Sequence, residues 1–321
     1  MNGIVTSFTA FFISFITCIF IMPKGIQFLI NKKRSQTVRL DGPETHLVKT
    51  GTPTMGGIFI LISFLIGCIF FIFKNYTAVA LIFITIAYSF IGFIDDYLKA
   101  SKKSPDGLSA KSKLVLQFIV TTIFLFTLIA NNLTTIIYIP FTTIEIDLGI
   151  FYYPLFYIAM LGTVNGVNLT DGIDGLASTV TSIICMFFII LALFLNMDIA
   201  FVLSSMVGAL LGFLIYNSHP ASVFMGDTGS LALGGLIGGT ALILQQPFLI
   251  LIVGFIYVLE SVSVILQVYY YKKTKKRIFK MTPIHHHYEE SGLSETKIVT
   301  LFSVITIILC ALSLYGFYLG V

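Results

Sequence analysis

Five short stretches of the 321-residue sequence hold the side chains able to do chemistry. In "FIGFIDDYLK", an apolar run ends in two adjacent carboxylates, Asp95 and Asp96, with Lys99 four residues after the first and three after the second. Adjacent helical positions do not share a face, so the two acids cannot aim squarely at one ion, while Lys99 is within reach of either. A solvated helix end with a local ion pair is the plainer reading. Acids near a helix C-terminus oppose the macrodipole, however, so the placement costs stability unless a cation compensates. In "NGVNLTDGIDGLAS", Asn168, Asp171 and Asp174 recur every three residues along one side of a helical turn. Gly172 and Gly175 leave room for a ligand beside them. Capping of the next helix by Asp174 explains one of these groups and neither of the others.

In "FMGDTGSLALGG", Asp227 suits two roles equally, an N-cap or a ligand of Mg2+, which takes one or two carboxylates plus substrate phosphates. In "MTPIHHHYEE", His285, His286 and His287 lie beside a lysine-rich run. Spaced zinc ligands are lacking there, and protonatable imidazoles beside cations suit a diphosphate better than a metal. "KTGTPTMGG" places Lys49 before small residues, a workable phosphate contact but not a P-loop, and equally mere punctuation before a helix.

The elements that must position these residues are apolar. Hydrophobic residues make up 57% of the chain and charged ones 11%, against about a quarter in a soluble domain. Mean hydropathy is +0.97. Recurring apolar runs long enough to cross a bilayer predict an all-α polytopic membrane protein rather than a β-barrel. Ten spans are expected, near 4–22, 55–73, 77–94, 114–131, 153–166, 174–195, 198–216, 230–246, 248–271 and 298–319. Together they form one domain over residues 1–321, without an internal repeat, and the first apolar run reads as retained rather than cleaved. The four cysteines lie within apolar runs and read as buried small hydrophobes. Placing the segment Pro23–Thr54 in the cytoplasm puts every basic residue but Lys74 on that side, which sets both termini outside. The run Leu133–Gly149, rich in β-branched residues around Pro140, predicts a small extracytoplasmic β-hairpin. Glu260 is the one carboxylate inside a span and is expected in a bent helix as a structural group. The polar motifs all fall on the cytoplasmic side while span centres stay bare, which favours chemistry at the interface over transport through it.

Taken in order, "GTPTMGG", "DDYLK", "NLTDGIDGLA", "FMGDTGSLALGG" and "PIHHHYE" resemble the polyprenyl-phosphate N-acetylhexosamine 1-phosphate transferases over nearly the whole chain. The triple histidine and "GTPTMGG" resemble the branch whose donor is UDP-MurNAc-pentapeptide. The resemblance implies Mg2+-dependent transfer of the phospho-sugar to undecaprenyl phosphate, giving lipid I and UMP, by a membrane-bound homodimer whose cleft faces the cytoplasm. It implies Asp227 as the Mg2+ ligand and Asp95 and Asp96 as the acidic pair, with Asp95 favoured as the base. Lys99 and Lys111 would face the phosphates. Asn168, Asp171, Asp174, Asn217 and Phe224 would line the donor pocket with Lys49 nearby, and His285 and His286 would contact the donor. A sister transferase using UDP-N-acetylglucosamine is the nearest alternative, and a transporter of an anionic lipid or nucleotide sugar is a more distant one.

Overall fold

The computed structural model describes residues 3–32, 51–71, 75–102, 106–142 and 144–320, so Lys49 lies outside the described residues. The described residues are mostly helical. In order come α1 (Gly3–Asn31), α2 (Gly57–Cys68), α3 (Tyr76–Lys102) and α4 (Ala110–Ala130). The hairpin β1 (Ile136–Tyr138) and β2 (Glu145–Asp147) follows, then α5 (Tyr152–Thr170), α6 (Leu176–Phe194), α7 (Ala200–Asn217) and α8 (Gly226–Ile243). The chain closes with α9 (Leu249–Val253), α10 (Phe255–Thr274), α11 (Ile284–Glu289) and α12 (Glu295–Gly320). The expected hairpin forms inside Leu133–Gly149, antiparallel, with Ile136 opposite Asp147 and Tyr138 opposite Glu145.

Each expected span overlaps helical residues, but the lengths and breaks differ. Among the described residues seven helices are long and apolar enough to cross a membrane: α1, α3, α4, the segment Gly149–Thr170, α6, α7 and α12. The expected span 55–73 holds only the 12 residues of α2. The expected span 248–271 is broken at Gly254 into α9 and α10. The first helix runs straight past its expected end at residue 22, through Pro23, to Asn31. Proline removes one N–H from the ladder and leaves the carbonyl four residues earlier without its partner. Here that carbonyl belongs to Ile19, and the Tyr216 hydroxyl donates to it at 3.2 Å. The helix therefore survives because α7 satisfies what the proline exposed.

The bundle is organised around α8. Every one of its residues from Thr228 to Ile243 is buried. Its glycines let neighbouring backbones approach: a methyl on Gly234 would stand 2.5 Å from the Val164 Cα of α5. The helices α1, α4 and α12, by contrast, expose rows of large apolar side chains such as Phe8, Phe12, Phe20, Phe118, Phe126 and Leu312. With α6 and α7 largely buried, the inner helices carry the packing and the outer ones face what a bilayer would supply. All four cysteines are buried and free.

Candidate active site

The last turns of α3, the first turn of α4, the end of α5 and the first turn of α8 meet at one point. There the carboxylate oxygens of Asp95, Asp96 and Asp227 lie within 4.8 Å of one another. Adjacent acids on one helix thus reach a common centre after all, because the third carboxylate enters between their two directions.

Asp95 turns toward α4. One of its oxygens accepts the Leu108 N–H at 2.6 Å, and the other pairs with Lys99 at 2.6 Å. Asp96 turns the opposite way and closes the N-terminus of α8. Its oxygens accept the backbone N–H groups of Asp227 (3.1 Å) and Thr228 (2.9 Å) and the Thr228 hydroxyl (2.6 Å). The acid opposing one helix dipole at the end of α3 therefore complements another at the start of α8. Asp96 holds α8 rather than Lys99, which pairs with Asp95 and Asp227 instead. This frees Asp227, the second residue of α8, from any capping duty. Its side chain receives Lys99 at 2.9 Å and Lys113 at 2.8 Å on one oxygen and the Asn168 amide at 2.8 Å on the other. Asn168 is itself fixed by donating to the Ser230 hydroxyl at 2.8 Å.

Close backbone approach makes this convergence possible. A methyl on Gly92 of α3 would lie 2.0 Å from the Asp227 carbonyl oxygen. Gly226, at φ +74°, brings the chain into α8 in the left-handed region that favours glycine. The "GTPTMGG" segment lines up beside it: Phe224 N–H donates to the Pro53 carbonyl, and the N–H groups of Gly56 and Gly57 donate to the carbonyls of Phe224 and Met225, all between 2.8 and 2.9 Å.

The spacing of Asn168, Asp171 and Asp174 does not mark one helical side. α5 ends at Thr170, and the chain turns before α6 begins. Asn168 faces Asp227, whereas Asp174 accepts from the Ala221 N–H at 3.0 Å and lies 3.0 Å from His219 Nδ1. Asp174 does not cap α6, whose N-cap residue is Gly175 without a side-chain bond. Asp171 is half-buried; its N–H donates to the Asn168 carbonyl at 3.4 Å, but its carboxylate has no hydrogen-bond partner among the described residues. Burial, then the charges of Asp227, Asp96 and Asp174, hold it well above the usual carboxylate range.

Other expected positions have different duties. Asn217 is buried, accepting from Ser178 at 3.3 Å and donating to the Val223 carbonyl at 2.9 Å, which braces the approach to α8. Phe224 is half-buried beside it. The three histidines diverge: His285 to Glu260 at 3.0 Å, His286 to Glu289 at 2.7 Å, and His287 to the Lys280 N–H at 3.2 Å. The Lys111 side chain is exposed and makes no hydrogen bond or ion pair among the described residues. Lys113, which the motifs did not single out, reaches Asp227, Asn168 and, at 4.0 Å, Asp95. Two residues apart on a helix means nearly opposite faces. Lys113 shares its face with Gln117 and Thr121, both fully buried, and that polar stripe at four-residue spacing was the signal for it.

The donor set suits a hard divalent cation. It offers only oxygen atoms, converging and buried on one side, with two ammonium groups standing where further negative charge would be neutralised. Such a centre can position and neutralise phosphates.

Comparison with known proteins agrees with this chemistry. A family profile described as "Glycosyl transferase family 4" matches residues 78–245. A second, "Phospho-N-acetylmuramoyl-pentapeptide-transferase signature 1", matches residues 49–61. Relatives named phospho-N-acetylmuramoyl-pentapeptide-transferase include one from Caldicellulosiruptor bescii, 48% identical over 95% of both chains. Another, from Halalkalibacterium halodurans, is 43% identical over 94% of this chain and 95% of its own. One from Clostridium botulinum strain Alaska E43 is 47% identical over 95% of this chain and 94% of its own. The carboxylate centre, the order of the motifs and these full-length matches together make the chain a member of the phospho-N-acetylmuramoyl-pentapeptide-transferase family.

Proposed function

We propose that the chain transfers phospho-N-acetylmuramoyl-pentapeptide from UDP-MurNAc-pentapeptide to undecaprenyl phosphate, giving lipid I and UMP, at the Asp95–Asp96–Asp227 centre. The observation that carries the site is Asp227, held by Lys99, Lys113 and Asn168 from three different helices. Phosphoryl transfer needs positioning and charge neutralisation more than covalent chemistry from the protein. Asp227, with Asp95 beside it, would hold Mg2+, which when bound supplies charge neutralisation to the donor diphosphate. Lys99 and Lys113 bind and orient the phosphate oxygens. Asp95, fixed by Leu108 N–H, is the base for the acceptor phosphate. Asp96 keeps the start of α8 in register. Asn168 and Asp171, with Asp174 and Phe224 further out, line the donor pocket, while Asn217 braces its wall. His286 extends the pocket toward the donor, and Lys49, outside the described residues, is its further cation. His285 belongs to the same side.

Ten passes with both termini outside would put the described motif loops at one end of the bundle, the cytoplasmic one, and the hairpin at the other. The site would accordingly open to the cytoplasm of a bacterial cell membrane, in a single domain spanning 1–321, and the working unit would be a homodimer. The experiment is UMP release by purified protein supplied with both substrates, with and without Mg2+, and with UDP-N-acetylglucosamine as comparison donor. Asp227→Asn should abolish release at every Mg2+ concentration while the protein stays folded; near-normal release at high Mg2+ would refute its role. Trapping of a phosphorylated Asp95 on incubation with donor alone would replace the base by a nucleophile.

A further inference from the structure

Two ionisable groups lie wholly inside the protein, away from the phosphate centre. Glu260 on α10 and His285 on α11 are both 0% exposed, with Nδ1 and Oε1 3.0 Å apart. The second atom of each, Glu260 Oε2 and His285 Nε2, has no hydrogen-bond partner among the described residues. Buried polar atoms are nearly always satisfied, so two orphans in one contact ask for an explanation. A carboxylate can only accept, so Nδ1 carries the hydrogen. In the neutral ring Nε2 is then left with its lone pair. What lies against Nε2 is Gly172: a methyl there would stand 2.2 Å from Nε2 and 2.6 Å from Cε1. The imidazole occupies the space that any side chain at position 172 would need.

Gly172 sits in the middle of the turn between α5 and α6. The turn's ends are held independently. Asn168 is bonded to Asp227 and Ser230 at one end. At the other, the Asp174 N–H donates to Glu295 at 3.0 Å and its carboxylate accepts the Ala221 N–H. Between them the Asp171 carboxylate has no such tie among the described residues, only its N–H reaching back to the Asn168 carbonyl, and the ring of His285 is the wall against which its neighbour rests.

We propose that Glu260 is a positioning residue for donor binding: by fixing the tautomer and angle of His285, it sets the Gly172 turn and with it Asp171. This rests on the reading of that turn as part of the donor pocket. Glu260 is too enclosed to touch either substrate, and among the described residues no hydrogen bond or ion pair links it to Asp95, Lys99 or Lys113. Its loss should therefore weaken the donor's hold without changing the acceptor's.

The test uses full-length Glu260→Gln, Glu260→Leu and Gly172→Ala in detergent, with each substrate varied in turn. Gln keeps an acceptor oxygen opposite Nδ1, so its KM for UDP-MurNAc-pentapeptide should rise by about threefold or less. Leu removes the acceptor, and the same KM should rise by about tenfold or more, with KM for undecaprenyl phosphate unchanged. Gly172→Ala, which displaces the ring from the other side, should resemble Leu. Hydrogen–deuterium exchange over residues 168–176 should quicken in the order wild type, Gln, Leu, while the start of α8 stays as protected as before. Equal rises in both KM values, or a loss of kcat with unaltered exchange at 168–176, would overturn the proposal. If Leu does not fold, the Gln and Gly172→Ala variants decide by the same two measurements. If the wild type itself releases no UMP, the functional reading falls, and the exchange comparison still decides whether Glu260 sets the turn.

Discussion

Replacing Gly92 by alanine places the least possible bulk at the tightest contact of the site. The added carbon would lie 2.0 Å from the Asp227 carbonyl oxygen, 2.3 Å from its carbon and 2.6 Å from the Thr228 nitrogen. Ordinary contact begins near 3.4 Å, so α3 and α8 must part locally by about 1.4 Å. All three opposing atoms are backbone, and no side chain can swing aside. Overpacking of this kind costs about 1–3 kcal/mol. The larger effect should be on the reaction. Asp227 leaves the 2.8–2.9 Å reach of Lys99, Lys113 and Asn168, and a misplacement near 1 Å costs on the order of 10²-fold in rate. UMP release and thermal unfolding of Gly92→Ala should be measured beside Gly162→Ala. Gly162 has nothing within 4 Å of its built methyl, and removing an exposed helical glycine should stabilise α5 by up to about 1 kcal/mol. Wild-type turnover by Gly92→Ala, or equal losses in both variants, would refute the reasoning.

Lys113→Met should lower UMP release by roughly 10²-fold or more, as expected for loss of a charge-stabilising donor, while Lys111→Met should stay near wild type. Asp96→Ala removes both acceptor oxygens from the N–H groups of α8, and loss of this cap should cost about 1–2 kcal/mol in unfolding experiments, with Thr228→Val milder because it removes one of the three bonds. Asp171 has a raised folded pKa, so its ionised form opposes folding: the penalty is absent below the unfolded carboxylate pKa, grows as pH rises toward the folded one and is complete above it. Asp171→Asn, in chelator without substrate, should therefore unfold at a higher temperature than wild type at neutral pH, and the difference should vanish near pH 3, while donor KM worsens.

Helix content and the hairpin were legible because apolar runs and β-branched residues around a proline report directly on burial and turn geometry. The converging motifs were legible as chemistry because so few polar residues occur in such a chain. Their individual duties were not. Asp96 caps a helix 131 residues away, a partnership that no local spacing encodes. Asp174 turns toward His219 because the chain leaves helical geometry at Asp171, ending at Thr170 the helix that the three-residue spacing suggested. Lys111 and Lys113 look alike until the face of α4 is known, and only buried Gln117 and Thr121 reveal it. The passage of α1 through Pro23 depended on a hydroxyl from α7, which a reading of α1 alone has no means to supply.

That last bond has a consequence for how the molecule is made. The Ile19 carbonyl and the Tyr216 hydroxyl are 197 residues apart in sequence. A ribosome adding about 5–20 residues per second needs roughly 10–40 s to span that distance. During this interval the first helix sits in the membrane before its acceptor has met its donor, in a medium that gives a bare carbonyl nothing in exchange. The nascent chain thus carries an unfinished joint from its first insertion until the seventh helix arrives. Closing it ties the beginning of synthesis to a late event, so α1 becomes part of the finished bundle only once most of the site has been built.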